Sequence, residues 1–132
     1  MNAVKKSHWI SLIFLILVTS CDLKEKFEKM MQLKKDLAAA FHHEDVNLSM
    51  HRGTRENDNY TTITFYSYPV ETTSYKELDT LANKVESFLH RQDPESRKLD
   101  CIEIKFTKEP SSSTEAASFI SFKKVQNSSP QE

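Results

Sequence analysis

The chain has 132 residues, 38% hydrophobic and 28% charged, which suits one domain and is short for two. Its 18 Lys and Arg against 19 Asp and Glu give a net charge of -1, which argues against nucleic acid as a partner, since such affinity rests on a basic surface. A single Gly excludes collagen-like, Gly-linker and most phosphate-cradling designs, and two Cys are too few for a disulfide scaffold.

The charge is unevenly spread. Residues 1–21 hold no acidic residue and carry the longest apolar run. Lys5 and Lys6 form a basic head, Ile10 to Val18 an apolar core, and Thr19-Ser20 a small polar exit. A core of roughly ten residues suits an export signal and falls well short of the ~20 that cross a bilayer as a helix. The segment Val18-Thr19-Ser20-Cys21 resembles the lipobox of bacterial lipoproteins, and the resemblance covers residues 1–21 only. It implies that the Cys21 thiol receives a diacylglycerol, that the signal 1–20 is cut away, and that the new amino group is acylated. Burial at ~0.8 kcal/mol per CH₂ makes two or more chains a lasting anchor. The lipid bilayer is then an expected partner, through acylated Cys21. The expected location is the bacterial cell membrane or outer membrane, facing the periplasm or the cell surface. Asp22 resembles the inner-membrane retention signal of enterobacterial lipoproteins, but other bacterial groups sort by other rules, so the leaflet stays open. Losing the signal removes Lys5 and Lys6 and no acid, so the mature chain is mildly acidic and its anchor is lipid, not charge.

A lipidated Cys21 leaves Cys101 as the one free thiol in an oxidising compartment. It could bridge to another molecule or act as a nucleophile. The plainer reading is a small buried hydrophobe at the start of a strand.

A first helix is expected almost at the anchor, because Leu23, Phe27, Met30, Leu33 or Lys34, Leu37 and Phe41 recur at helical steps. Its length, roughly 19 residues, corresponds to about 28 Å. Val46, Leu48 and Met50 alternate with Asn47, Ser49 and His51 as a half-buried strand. Residues 52–59 read as a hairpin loop, with Gly53 placed where a positive φ is expected. Tyr60 to Tyr68, dense in β-branched and aromatic residues, is the clearest strand and ends at Pro69. Ser74 with Glu77 has capping-box spacing and announces a second helix with Leu78, Leu81, Ala82, Val85 and Leu89 as its apolar stripe. Asp93-Pro94 stops it. Strands over 99–107 and 116–125 follow, joined by the loop 110–114, and 126–132 reads as a polar tail.

The order α-β-β-α-β-β predicts an α+β fold: a four-stranded, mostly antiparallel sheet with two helices packed on one face. The expected division is a signal at 1–20, one domain at 21–125 and a disordered tail at 126–132. Two αββ units in succession would permit a twofold repeat, although the halves share no residue pattern.

Little in the chain announces chemistry. His42, His43 and Glu44, with His51 a strand away, are the candidate metal ligands, although neighbouring helical residues point about 100° apart and the His-Glu-x-x-His motif is missing. The other reading of this stretch is a polar helix end. No Gly-x-Ser-x-Gly turn is present, and no catalytic residues or cofactor are assigned. The most suggestive feature is the sheet face expected to point away from the helices. Tyr60, Tyr66 and Tyr68, with Thr62 and Thr64, should line it, joined by Asn47, Ser49, His51, Glu103, Lys105, Ser121 and Lys123. Tyr combines large apolar area with a polar tip and few rotors, which suits an interface; Tyr and Thr also favour strands for reasons unconnected with binding. The expected function is a small, non-enzymatic binding module holding a protein partner at the envelope. The alternatives are a metal-binding protein or enzyme built on His42, His43, Glu44 and His51, and an inhibitory or immunity-type lipoprotein.

Overall fold

Strand pairing fixes the architecture of the computed structural model, which describes the backbone of residues 2–126 and the side chains of 21–126. The expected tail beyond Gln126 and the side chains of the expected signal lie outside the described residues. The elements are α1 (Asn2–Ala40), β1 (Val46–Arg52), β2 (Asn59–Phe65), α2 (Tyr75–Gln92), a 3-10 turn (Pro94–Lys98), β3 (Cys101–Phe106) and β4 (Ile120–Val125). They make the predicted α+β fold, with the strands in the order β1-β2-β3-β4.

The chain divides into two compact units, residues 1–33 and 34–132, and this boundary falls inside the domain expected at 21–125. The helix expected from about residue 23 is the later part of the longer α1. In the first unit the apolar positions Leu23 and Phe27 are exposed and Met30 is half-buried, and of this stripe only Leu33, at the unit's end, is buried. Lys26 and Asp22 at 3.5 Å, and Lys24 and Glu28 at 3.9 Å, form exposed pairs one turn apart, each worth a few tenths of a kcal/mol, about 0.3–0.5.

The second unit holds the sheet. β1 and β2 form an antiparallel hairpin, β3 and β4 form another, and β2 lies parallel to β3. A parallel pair cannot be joined by a tight turn, so α2 serves as the crossover. Because β1 and β3 therefore run in opposite directions, no rotation relates the two αββ halves while keeping both helices on one face. The repeat exists in element order only.

α1 ends where the His43 N–H donates to Ala38 O at 3.0 Å and the His42 N–H to Ala39 O at 3.4 Å, with His42 at φ 50°. This is a Schellman ending with His where Gly is usual. α2 begins in the expected capping box: Ser74 Oγ accepts from the Glu77 N–H, and the Ser74 N–H donates to Glu77 Oε2. It buries Leu78, Ala82, Val85 and Leu89, and Leu81 is only half-buried.

The covered face of the sheet meets this stripe through Val46, Leu48, Ile63, Phe65, Ile102, Ile104, Phe106 and Phe122, all buried. Phe65 stacks on Phe106 at 5.3 Å, Phe106 meets Phe122 edge-on, and Phe41 reaches both Phe65 and Phe88 of α2. Alternation along four registered strands seals one face and leaves the other largely open, with Thr64 its buried exception.

Three local expectations need correction. Gly53 does not have a positive φ; Asn57 takes that role at 61°. Gly53 is needed for space, because a Cβ there would lie 1.6 Å from Asp58 Oδ2 and 2.7 Å from its Cβ. Tyr68 is not on the open face. β2 stops at Phe65 and Ser67 adopts φ 50°, which breaks the two-residue alternation and turns the Tyr68 ring against Phe106 at 5.2 Å and His43 at 5.5 Å. Gln126 is not frayed: its N–H donates to Asp100 O and its side chain to Glu86 Oε1.

Candidate functional site

The open face is set by register. Ser49 lies opposite Thr62, which lies opposite Glu103, which lies opposite Lys123. Asn47, Thr64, Lys105 and Ser121 form the adjacent row, and His51, Tyr60, Cys101 and Val125 the row at the hairpin end. Every side chain expected on this face is there except Tyr68.

The rows differ in chemistry. At the hairpin end the His51 and Tyr60 rings stack at 4.7 Å, and His51 Nε2 lies 3.0 Å from Asp58 Oδ1. In the middle, the Ser121 hydroxyl donates to Glu103 Oε1 and Lys105 Nζ lies 3.8 Å from the same oxygen. At the far end Phe119, from the β3–β4 loop, meets Tyr66 edge-on at 6.3 Å, with Lys105 Nζ 5.3 Å from its ring centre. Tyr60 and Tyr66 are thus separated by six strand residues, about 20 Å. The tyrosines do not form one patch. What the face offers is a polar strip with an aromatic pair at each end. Phe119, 40% exposed, was not singled out by sequence: the strand expected over 116–125 begins only at Ile120, which leaves Phe119 at the end of the loop.

Cys101 sits half-buried on this face between Tyr60 and Val125. Burial, and then the Glu103 carboxylate beside it, push its thiol up from the ordinary value, so it is a poor nucleophile at neutral pH.

The metal-site candidates are dispersed. His42 is exposed at the end of α1, and His43 Nε2 donates to Tyr66 O at 2.5 Å. His51 lies in β1 beyond Val46 by five residues, roughly 17 Å. Glu44 is exposed. Among the described residues no three His, Cys, Asp or Glu side chains meet as a metal site. A shallow depression does border Ala38, Ala39, His42, His43 and Glu44, but the His43 imidazole is hydrogen-bonded to the Tyr66 carbonyl.

A different residue in that stretch has the structural role. Asp45 Oδ2 accepts from the Ser67 hydroxyl at 3.0 Å and from the Ser111 N–H at 3.1 Å. Desolvation is the largest single influence and works against it, but the bonds from Ser111 and Ser67, with His43 nearby, together hold its carboxyl below the usual value. Asp45 therefore ties the start of β1 to the loops after β2 and β3. Sequence gave no signal for this, since the partners lie far apart in the chain.

Cys21, the expected lipidation point, is exposed in the first unit. Among the described residues no helix is long and apolar enough to cross a membrane. Compared with protein-family models, with curated proteins and with solved structures, the chain matches none.

Proposed function

We propose that this chain is a bacterial envelope lipoprotein, anchored through acyl chains on Cys21, whose sheet domain is a non-enzymatic binding module for a protein partner. The observation that carries the binding reading is the open face. Ser49, Thr62, Glu103, Ser121 and Lys123 stand in register with no helix over them, between two held aromatic pairs. Glu103 and Ser121 are held by their mutual hydrogen bond and the end rings by their pairs, and side chains fixed before contact lose little entropy on binding. The exposed Cys21 after a basic head and apolar core supports the anchor. The inhibitory alternative differs from this reading in the partner alone.

Two measurements test it. Mass spectrometry of the membrane-extracted protein should find Cys21 as the first residue, carrying a thioether-linked diacylglycerol. A different mature terminus, or an unmodified Cys21, ends the anchor reading. A photo-crosslinker placed at Thr62 in growing cells should trap one stoichiometric protein, and the same probe at Asn83 on α2 should not. Equal trapping from both positions, or none from Thr62, ends the binding reading.

A further inference from the structure

The outer side of α2 has a composition unlike the rest of this mildly acidic chain. At 3.6 residues per turn, Lys76, Thr80, Asn83, Lys84, Ser87 and Arg91 fall within about 100° of the helix circumference, and all six are exposed. Of the helix's three carboxylates two are engaged off the stripe, and the third, Glu77, borders its first turn as the capping residue. Glu77 accepts from Ser74, Asp79 from Lys124 at 3.1 Å, and Glu86 from Gln126 at 3.1 Å, with His90 3.6 Å away. Nearby Glu71 pairs with Lys108 and Glu95 with Lys98. The stripe is thus a run of three cations alternating with neutral hydrogen-bonding side chains, about 22 Å long at 1.5 Å per residue. Two shallow depressions lie along it, of about 300 and 390 Å³, sharing Thr80 and Lys84; Lys76 and Glu77 border one, and Arg91 the other.

We infer that this stripe seats on anionic lipid headgroups, the Lys and Arg side chains meeting the phosphates and Thr80, Asn83 and Ser87 the glycerol hydroxyls. The inference rests on the lipid-anchor reading, which already holds the chain at a bilayer. Surface cations gain about fivefold each near an anionic leaflet, too little to anchor a protein and enough to orient one that is anchored. α2 lies on the covered side of the sheet, through Leu78, Val85 and Leu89. Seating its outer side on the membrane turns the open face away from the lipid, toward a partner in the aqueous space.

The test uses the full acylated protein in vesicles of phosphatidylcholine alone and of phosphatidylcholine with phosphatidylglycerol. In a Cys101→Ser background, a fluorophore is placed on Ser87→Cys or on Ser121→Cys, and quenching by aqueous iodide is measured. The Ser87 label should be shielded several-fold in the phosphatidylglycerol vesicles only, and the Ser121 label in neither. High salt should restore quenching, as screening requires. The combined change Lys76→Gln, Lys84→Gln and Arg91→Gln should restore it too. Equal quenching of the Ser87 label in both vesicles overturns the inference, as does shielding of the Ser121 label instead. Shielding of Ser87 in native membranes but not in phosphatidylglycerol vesicles also overturns it and indicates an acidic protein. Co-flotation with the neutral vesicles reports the anchor separately, since it needs the acyl chains and not the stripe.

Discussion

On the helix-covered face of the sheet, Ile63, Phe65, Ile102, Ile104 and Phe106 are sealed from solvent, whereas Thr62, Glu103 and Lys105, which alternate with them, remain part-exposed. The covered face is held by aromatic and aliphatic packing, where each atom has partners on all sides. The open face is held by register, one carboxylate shared between Ser121 and Lys105, and two ring pairs. The lesson is that the strands belong to both faces, while stability belongs mostly to one. Exposed residues of the open face such as Ser49 and Lys123 should therefore be exchangeable to test binding without unfolding the protein.

The largest expected effect sets this contrast directly. Phe106→Ala should cost about 3–5 kcal/mol, read from the urea midpoint, because it removes a ring at the centre of the cluster. Thr62→Ala, on the other face of the neighbouring strand and three residues from the position opposite Phe106, should stay within about 0.5 kcal/mol. Comparable losses would break the distinction between the faces.

Gly53→Ala should cost about 1–3 kcal/mol, as overpacking does. The new Cβ meets the Asp58 Cβ as well as its carboxylate, so a rotamer change alone does not relieve it. Displacing Asp58 also removes the contact that holds His51 on Tyr60. Histidine chemical shifts should report that loss, and their invariance would separate the loop from the open face.

A double-mutant cycle on Tyr66→Ala and Phe119→Ala should give a coupling of about 0.5–1 kcal/mol, the size of an edge-to-face ring pair. Zero coupling would mean that this end of the open face carries no packing of its own.

The smallest effect is the acid dependence of Asp45. A carboxyl held below its usual value stabilises the fold at higher pH and loses that contribution as pH falls through its folded-state value. The unmodified protein should therefore lose stability as pH drops below 3.8, the ordinary Asp value, more steeply than Asp45→Asn does. Parallel pH profiles of the urea midpoint would remove Asp45 from the loop junction.

Much of the fold was legible because its signals are local. Alternation at Ile102 to Phe106 and the Ser74 to Glu77 spacing depend on neighbours in the chain and reappear in the structure, while the alternation expected over Val46, Leu48 and Met50 holds for the first two only, Met50 being exposed. The failures have local causes too. Ser67 takes a backbone conformation that Ser rarely adopts, so counting by twos from Phe65 puts Tyr68 on the wrong side. His42 occupies a left-handed helix ending in a chain whose only Gly is used elsewhere. The grouping of Asp45 with Ser67 and Ser111, and of Phe119 with Tyr66, could not be read at all, because each joins segments brought together by the finished sheet.

The parallel pairing of β2 with β3 has a consequence for how the molecule assembles. The hairpins close loops of six residues (53–58) and thirteen residues (107–119), whereas the seam between them joins Asn59 to Asp100, 41 residues apart. Closing it also requires α2 to be in place. Folding speed is therefore expected to depend on this seam, where loop-closure entropy is spent before the long-range contacts return it. Lengthening the 66–73 connection should slow folding with little effect on equilibrium stability, since doubling a loop costs only about 0.6 kcal/mol. Until the seam closes, β2 and β3 each expose an unpaired apolar edge, and that interval is when the chain is most open to association with its own copies.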